Sequence, residues 1–283
     1  MSRVHKPHRW QWLWLIPAAL LVWWPLWFLF MGALMSQEEL RLTIGPALGL
    51  GTGYTVWHLL PDWPTLEPLL TLLLDTPQFF VMFWNSIGQS VAQVAGNLLV
   101  GAPAAWAISR LRFRGRSMVR GLYIVPFQVT MVPSYLVLRQ FGLLDTPWAI
   151  ILPGIFSTFP VFIMERGFDT VPREVLESAS IDGANQWQRF WRIGIPLGIP
   201  GLISALTLGF LDAWNAIEQP MTFLESPQYW PLSLFFTDPA NLDTKQLGLA
   251  MAASLWMLLP SILAFRFGQT YLEAGLTKGA VKG

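Results

Sequence analysis

The chain has 283 residues, of which 53% are hydrophobic and only 12% charged. An average soluble domain carries roughly 25% charged residues, so a globule of this length could not cover its surface with so few charges. With 14% aromatics, 16 Trp and a mean hydropathy of +0.45, the composition excludes a disordered chain, a coiled coil and almost any soluble enzyme. It leaves an integral membrane protein. There is no cysteine, which removes disulfides and thiolate metal sites. The net charge of +1 favours neither nucleic acid nor an acidic partner.

A bilayer core about 30 Å thick needs roughly 20 mainly apolar residues per helix. In chain order, the stretches free of Asp, Glu, Lys and Arg are Arg9 to Glu38 with 28 residues, Asp75 to Arg110 with 34, and Arg120 to Arg139 with 18. Asp145 to Glu165 and Arg192 to Asp212 follow with 19 each, then Lys245 to Arg266 with 20. These predict six transmembrane helices in an all-α polytopic protein. The first is too long for a cleavable signal peptide, and no small-residue cleavage site follows its aromatic run Trp23 to Phe30.

A seventh charge-free window, Arg41 to Asp62, holds Gly45, Pro46, Gly49, Gly51 and Gly53, which is poor helix material. Its GxxxG spacings suit a helix-packing face, but an outer loop near the membrane surface is the better reading. Charge placement supports this. With both termini in the cytoplasm, six spans put 15 of the 18 Lys and Arg inside, including the cluster Arg110, Arg112, Arg114, Arg116 and Arg120. They also put 11 of the 17 acidic residues outside. Cytoplasmic loops are rich in Lys and Arg, and a seventh span would export that cluster. The chain then divides into residues 1–78 (N-terminal tail, first span and outer loop), a core over 79–270, and a cytoplasmic tail over 271–283.

Within that core, residues 169–197 form the most informative loop, between spans four and five. Asp169 or Thr170 can cap a helix whose first turn holds Pro172. Val175, Leu176 and Ala179 share a face. Gly183 is placed to stop the helix in a left-handed turn, and a second short helix follows from about Gln186 to Arg192. Helices this short need a partner to pack on. Residues alone leave two readings open: a cytoplasmic docking module, or an amphipathic loop on the membrane surface. The basic loop Ser109–Arg120 reads as a topology anchor.

The sequence ESASIDGANQWQRFWRIGIPL resembles the EAA loop of ABC-importer permeases, with Glu177, Ala179, Asp182, Gly183, Ala184, Phe190, Ile193 and Pro196 at matching positions and Ser178 in place of the first alanine. Further segments look like the carbohydrate branch, the shorter permease of a maltose-type pair: Pro64–Glu67, Asn85–Ser86, Ala102–Arg116 with Trp106 at a tyrosine position, MVPSYLVL, GLLDTPWAIILP, Trp214–Asn215 and the ending AGLTKGAVKG. The resemblance runs from about residue 60 to the C-terminus. It implies a type I ABC importer permease fold in a prokaryotic inner membrane. Two permease subunits would form the carbohydrate pathway, an ATPase dimer would bind the cytoplasmic loops, and an extracytoplasmic solute-binding protein would deliver cargo. Glu177, Ser178, Ala179, Asp182, Gly183 and Ala184 would couple to the ATPase. The chain has no G-x-x-x-x-G-K-[ST] loop, so ATP and Mg belong to the partner ATPase, and this chain binds no cofactor and is no enzyme.

Asn85, Gln89, Gln93 and Asn97 recur every four residues along the second span. They line a solute path or hydrogen-bond the partner subunit; amides commonly join membrane helices, which favours the second. His5, His8 and His58 have no spacing that suggests a metal or a catalytic base, and no nucleophile–base set appears. Two rivals remain: an ATP-independent secondary transporter, and an intramembrane enzyme using flanking groups such as Glu165 or Asp212.

Overall fold

The computed structural model describes residues 9–48, 54–56, 58–111, 113–124, 131–237 and 247–280; side chains are described over 13–47, 54–56, 58–111, 113–121, 131–237 and 247–272. The described residues contain helices and turns and no strand. In chain order the helices are α1 (Arg9–Gly32), α2 (Gln37–Ile44), α3 (Glu67–Leu70), α4 (Pro77–Arg110), α5 (Arg116–Ile124), α6 (Met131–Gln140) and α7 (Trp148–Ile155). They continue with α8 (Thr158–Asp169), α9 (Arg173–Ile181), α10 (Gln186–Arg189), α11 (Ile195–Asn215), α12 (Glu218–Phe223) and α13 (Leu247–Ala280).

Five helical segments among the described residues are long and apolar enough to cross a bilayer: Leu13–Gly32, Pro77–Arg110, Trp148–Asp169, Gln186–Asn215 and Leu247–Leu272. They match five of the six expected spans. The stretch Arg120–Arg139 instead contains most of α5 and α6, with residues 125–130 (including Pro126) between them outside the described set. The window Arg41 to Asp62 carries no spanning helix among its described residues. The polar helix α2 ends there in a tight turn, Gly45–Leu48; Gly49 and Gly53 lie outside the described residues.

The chain divides into two compact units. One comprises residues 1–80 and 236–258. Here α1 is apolar on all sides and exposes Leu13 to Trp24, as a lipid-facing helix does. Ser36 caps α2 through Glu39 N–H at 3.3 Å. The outer segment is tied down by Thr65 N–H to Leu34 O (2.8 Å), Trp27 Nε1 to Leu59 O (3.0 Å) and Asp62 N–H to Glu39 Oε1 (2.8 Å).

The second unit comprises residues 81–235 and 259–283. Its core joins Ala102, Ala105 and Trp106 of α4, Met164 and Phe168 of α8, Leu176 of α9, and Leu202 and Ala205 of α11. Trp106 packs edge-on against Phe168, with ring centroids 5.3 Å apart. The α8 and α11 backbones come so close that a Cβ on Gly167 would lie 2.7 Å from Gly201 Cα, which only small residues permit. Proline 153 lies inside α7, and the apolar segment breaks between α7 and α8. The carbonyls left free at that break, Ile155 O and Ser157 O, both accept from Asn97 Nδ2 at 2.9 Å, as membrane depth demands.

Candidate functional site

The segment 169–197 builds from its caps outward. Helix α9 starts at Arg173, with Pro172 in the extended position before it, one residue earlier in the helix frame than expected. Neither Asp169 nor Thr170 caps it. Asp169 Oδ1 accepts from Ser109 Oγ at 2.6 Å, and Thr170 Oγ1 donates to Gly167 O at 2.8 Å. The end of α9 is as expected: Gly183 has φ +82°, Ala184 N–H reaches back to Ala179 O (2.9 Å) and Gly183 N–H to Ser180 O (3.2 Å). This pair of bonds is a Schellman stop. A reciprocal capping box then starts α10, with Gln188 N–H on Asn185 Oδ1 (2.8 Å) and Asn185 N–H on Gln188 Oε1 (2.9 Å). A wide turn, Phe190–Gly194, carries the chain into α11.

Of the expected apolar face of α9, only Leu176 is buried, in the core with Trp106, Phe168 and Phe190. Val175 is exposed and Ile181 is 87% exposed. Glu177, Ser178, Asp182 and Gly183 are exposed, and Ala179 and Ala184 half-buried. The coupling candidates therefore form an open surface on a helix held by one leucine.

The basic loop does more than set topology. Arg110 caps the end of α8 by donating to Phe168 O and Val171 O, a cation meeting the negative helix end. Arg116 Nη2 donates to Ser109 O at 2.7 Å. Arg120 on α5 pairs with Glu165 of α8 at 2.5 Å. Ser109, Arg110 and Arg120 thus grip the chain where the coupling segment begins. The sequence alone marks Arg110 and Arg120 as topology anchors, Asp169 as a helix cap and Glu165 as a group for an intramembrane enzyme, not as members of one bonded network. Their partners lie 45 to 61 residues away in sequence, a distance no local pattern reports.

The polar stripe of α4 finds partners within its own chain. Asn85 Nδ2 donates to Gln228 O (2.8 Å) and Trp230 O (3.1 Å), and Gln89 Nε2 to Tyr229 O (2.9 Å). Gln93 packs against Gly154, and Asn97 holds the α7–α8 break. Gln93 and Asn97 also border an open cavity of about 1070 Å³, shared with Ser134, Phe156, Phe159, Asp212, Asn215 and Glu218. Among the described lining residues there is no Lys or Arg. Phe156 and Phe159 are 65% and 50% exposed.

Asp145 fastens two connections. Its carboxylate accepts from Ser226 Oγ (2.5 Å), Ser226 N–H (2.7 Å) and Glu225 N–H (2.9 Å), and its own N–H donates to Phe223 O (2.9 Å). The Ser226 hydroxyl, and then the two backbone donors, hold this carboxyl below its ordinary value. In the first unit, Glu39, His58 and Asp62 bring one ligand-capable atom each within 4.8 Å of one another. His58 lies 3.7 Å from Asp62, and Glu39 accepts the Asp62 amide, so the group acts as a loop clasp.

Five described helices of spanning length, one of them broken and held at the break by a buried amide, define a multi-pass membrane protein. Residues 97–278 match the family "Binding-protein-dependent transport system inner membrane component", and the chain belongs to it. It is 32% identical over 234 residues to the inner membrane ABC transporter permease protein YcjP of Escherichia coli (strain K12), covering 80% of this chain and 83% of that one. It is 28% identical over 227 residues to the arabinooligosaccharides transport system permease protein AraQ of Halalkalibacterium halodurans, covering 79% and 81%. Its fold is similar to a chain of a bacterial ABC transporter involved in the import of the acidic polysaccharide alginate. That match has a TM-score of 0.75 at 24% identity and covers 92% of this chain and 94% of that one.

Proposed function

We propose that this chain is one permease of a carbohydrate importer, spans the membrane six times with both termini in the cytoplasm, and couples to a separate ATPase through residues 173–189. The observation that carries this reading is the α9–α10 segment. It is rigidly stopped at Gly183, rooted in the core by Leu176, and open along Glu177, Ser178 and Asp182. A closing ATPase that pulls on α9 moves Trp106, Phe168 and α11 with it, because these share one core. A second permease would complete the pathway, and a solute-binding protein would load it, in keeping with the family's description.

The cavity bordered by Gln93, Asn97, Phe156, Asp212 and Glu218 is this chain's half of that pathway. Exposed phenyl rings suit the apolar faces of sugar rings, while amides donate to and accept from hydroxyls and carboxylates accept from them. Carboxylates without a described cation beside them favour neutral carbohydrates over uronates or glycerol phosphates. The name of AraQ points to arabinooligosaccharides as that relative's cargo, in line with a neutral sugar here. Identifying the ligand of the co-expressed binding protein tests the cargo: a neutral sugar is expected, and an anionic one overturns the assignment.

Topology is tested by labelling. The chain has no native cysteine, so Ser178→Cys should react with an impermeant maleimide only from the cytoplasm. Tyr54→Cys, at a residue 96% exposed, should react only from outside. The reverse pattern contradicts the cytoplasmic termini, and labelling of both sites from one side contradicts the six-span count.

A further inference from the structure

Behind the coupling helix lies a second cavity, of about 240 Å³, separate from the pathway cavity. Arg110, Arg116, Arg173 and Arg189 line it, against a single carboxylate, Glu177. The indole of Trp106 also lines it; Trp106 is only 5% exposed, and its Nε1–H has no partner among the described residues. The same holds for the buried Nε–H groups of Arg110, Arg116 and Arg189. Four guanidinium side chains and one indole against one carboxylate make the lining donor-rich and cationic. Arg110 and Arg116 are held in place by the bonds that cap α8 and reach Ser109, so the site is preorganised.

We propose that this cavity binds a phosphate group, supplied by the headgroup of an anionic phospholipid or by free phosphate, and that the bound anion clamps the basic loop to the coupling helices. Planar guanidinium groups match phosphate oxygens with paired N–H donors, and basic pockets between spans on the cytoplasmic side suit anionic lipid headgroups. The ligand joins Arg110 and Arg116, at the end of α4 and start of α5, to Arg173 and Arg189 of the coupling segment, across the Glu177 side chain. Stiffness of that segment then depends on the bound phosphate group. The proposal rests on the cytoplasmic placement of these residues given above, which the maleimide labelling tests separately.

The test is arginine footprinting with phenylglyoxal, read by mass spectrometry, on the assembled permease–ATPase complex. In phosphatidylcholine vesicles without phosphate, Arg116, Arg173 and Arg189 should react. Phosphatidylglycerol should slow them at least threefold, while exposed Arg139, away from the cavity, serves as the unchanged reference. If millimolar phosphate in phosphatidylcholine gives the same protection, free phosphate also fills the site; protection by phosphatidylglycerol alone makes the lipid the ligand. The Arg116→Gln/Arg173→Gln variant should lose the protection of Arg189. If that variant fails to assemble, which ATPase co-purification reports, the wild-type comparison still decides. Slow modification in phosphatidylcholine that neither anion changes means a protein group fills the cavity and overturns the proposal. Fast modification that neither anion slows overturns it as well.

Discussion

Arg120 on α5 and Glu165 on α8 form an ion pair at 2.5 Å in which the glutamate side chain is only 5% exposed while the arginine remains 37% exposed. Arg120 Nε adds a second bond to the same oxygen at 2.6 Å. Removing the arginine strands a buried charge, so Arg120→Ala should destabilise the protein by roughly 1–3 kcal/mol, less than for a fully buried pair because water reaches the guanidinium. Arg120→Lys keeps the charge and loses the paired geometry, and should fall between. Thermal unfolding of the assembled complex in detergent checks the order wild type, lysine, alanine.

Asp145 predicts a pH response. Its carboxyl is held below the ordinary carboxylate value by the Ser226 hydroxyl first and backbone donors second. A depressed folded value means the clamp's stabilisation is fully present above the unfolded value, about 3.9. It is lost as pH falls through the lower folded value. Hydrogen exchange at the amides of Glu225 and Ser226 should stay protected from pH 7 to about pH 5 and open as pH falls below about 4. In Asp145→Asn that acid-dependent step should vanish, with weaker protection throughout.

Gly183 and Gly201 should fail for different reasons. At Gly183 a side chain meets nothing within 4 Å, and the obstacle is φ +82°. Gly183→Leu should cost roughly 1–2 kcal/mol locally, and Gly183→Asn much less, since asparagine tolerates this region. Gly201→Leu instead drives a side chain into the Gly167 backbone. It should cost about 1–3 kcal/mol or more by overpacking, with loss of the folded complex in size-exclusion chromatography. Exchange protection of α9 should fall in the first leucine variant and persist in the asparagine one.

Periodic and one-dimensional signals were legible from the residues alone. Charge-free windows located five helices of spanning length, and Gly183 with its Ser-Ala-Ser-Ile-Asp approach announced the helix stop. What escaped was set by contacts distant in sequence. Ser109 draws Asp169 away from capping α9, so a good local cap candidate loses to a tertiary partner. The amides of α4 read as a stripe, but their acceptors at 155–157 and 228–230 could not be read from a helical period. The Asn185–Gln188 capping box has a sequence signature, Asn followed by Gln three residues on, and was legible in principle. The basic cluster's sign was plain; that it grips α8 and encloses a cavity depended on packing.

We propose that residues 173–189 transmit ATPase closure to the membrane core. The most direct test is ATP hydrolysis by the complete importer in proteoliposomes, with and without solute-loaded binding protein, for wild type and Glu177→Lys. Wild type should show solute-dependent stimulation, whereas the variant should either lose the ATPase subunits or hydrolyse ATP without uptake. Normal assembly with unchanged stimulation and uptake in Glu177→Lys would contradict the account.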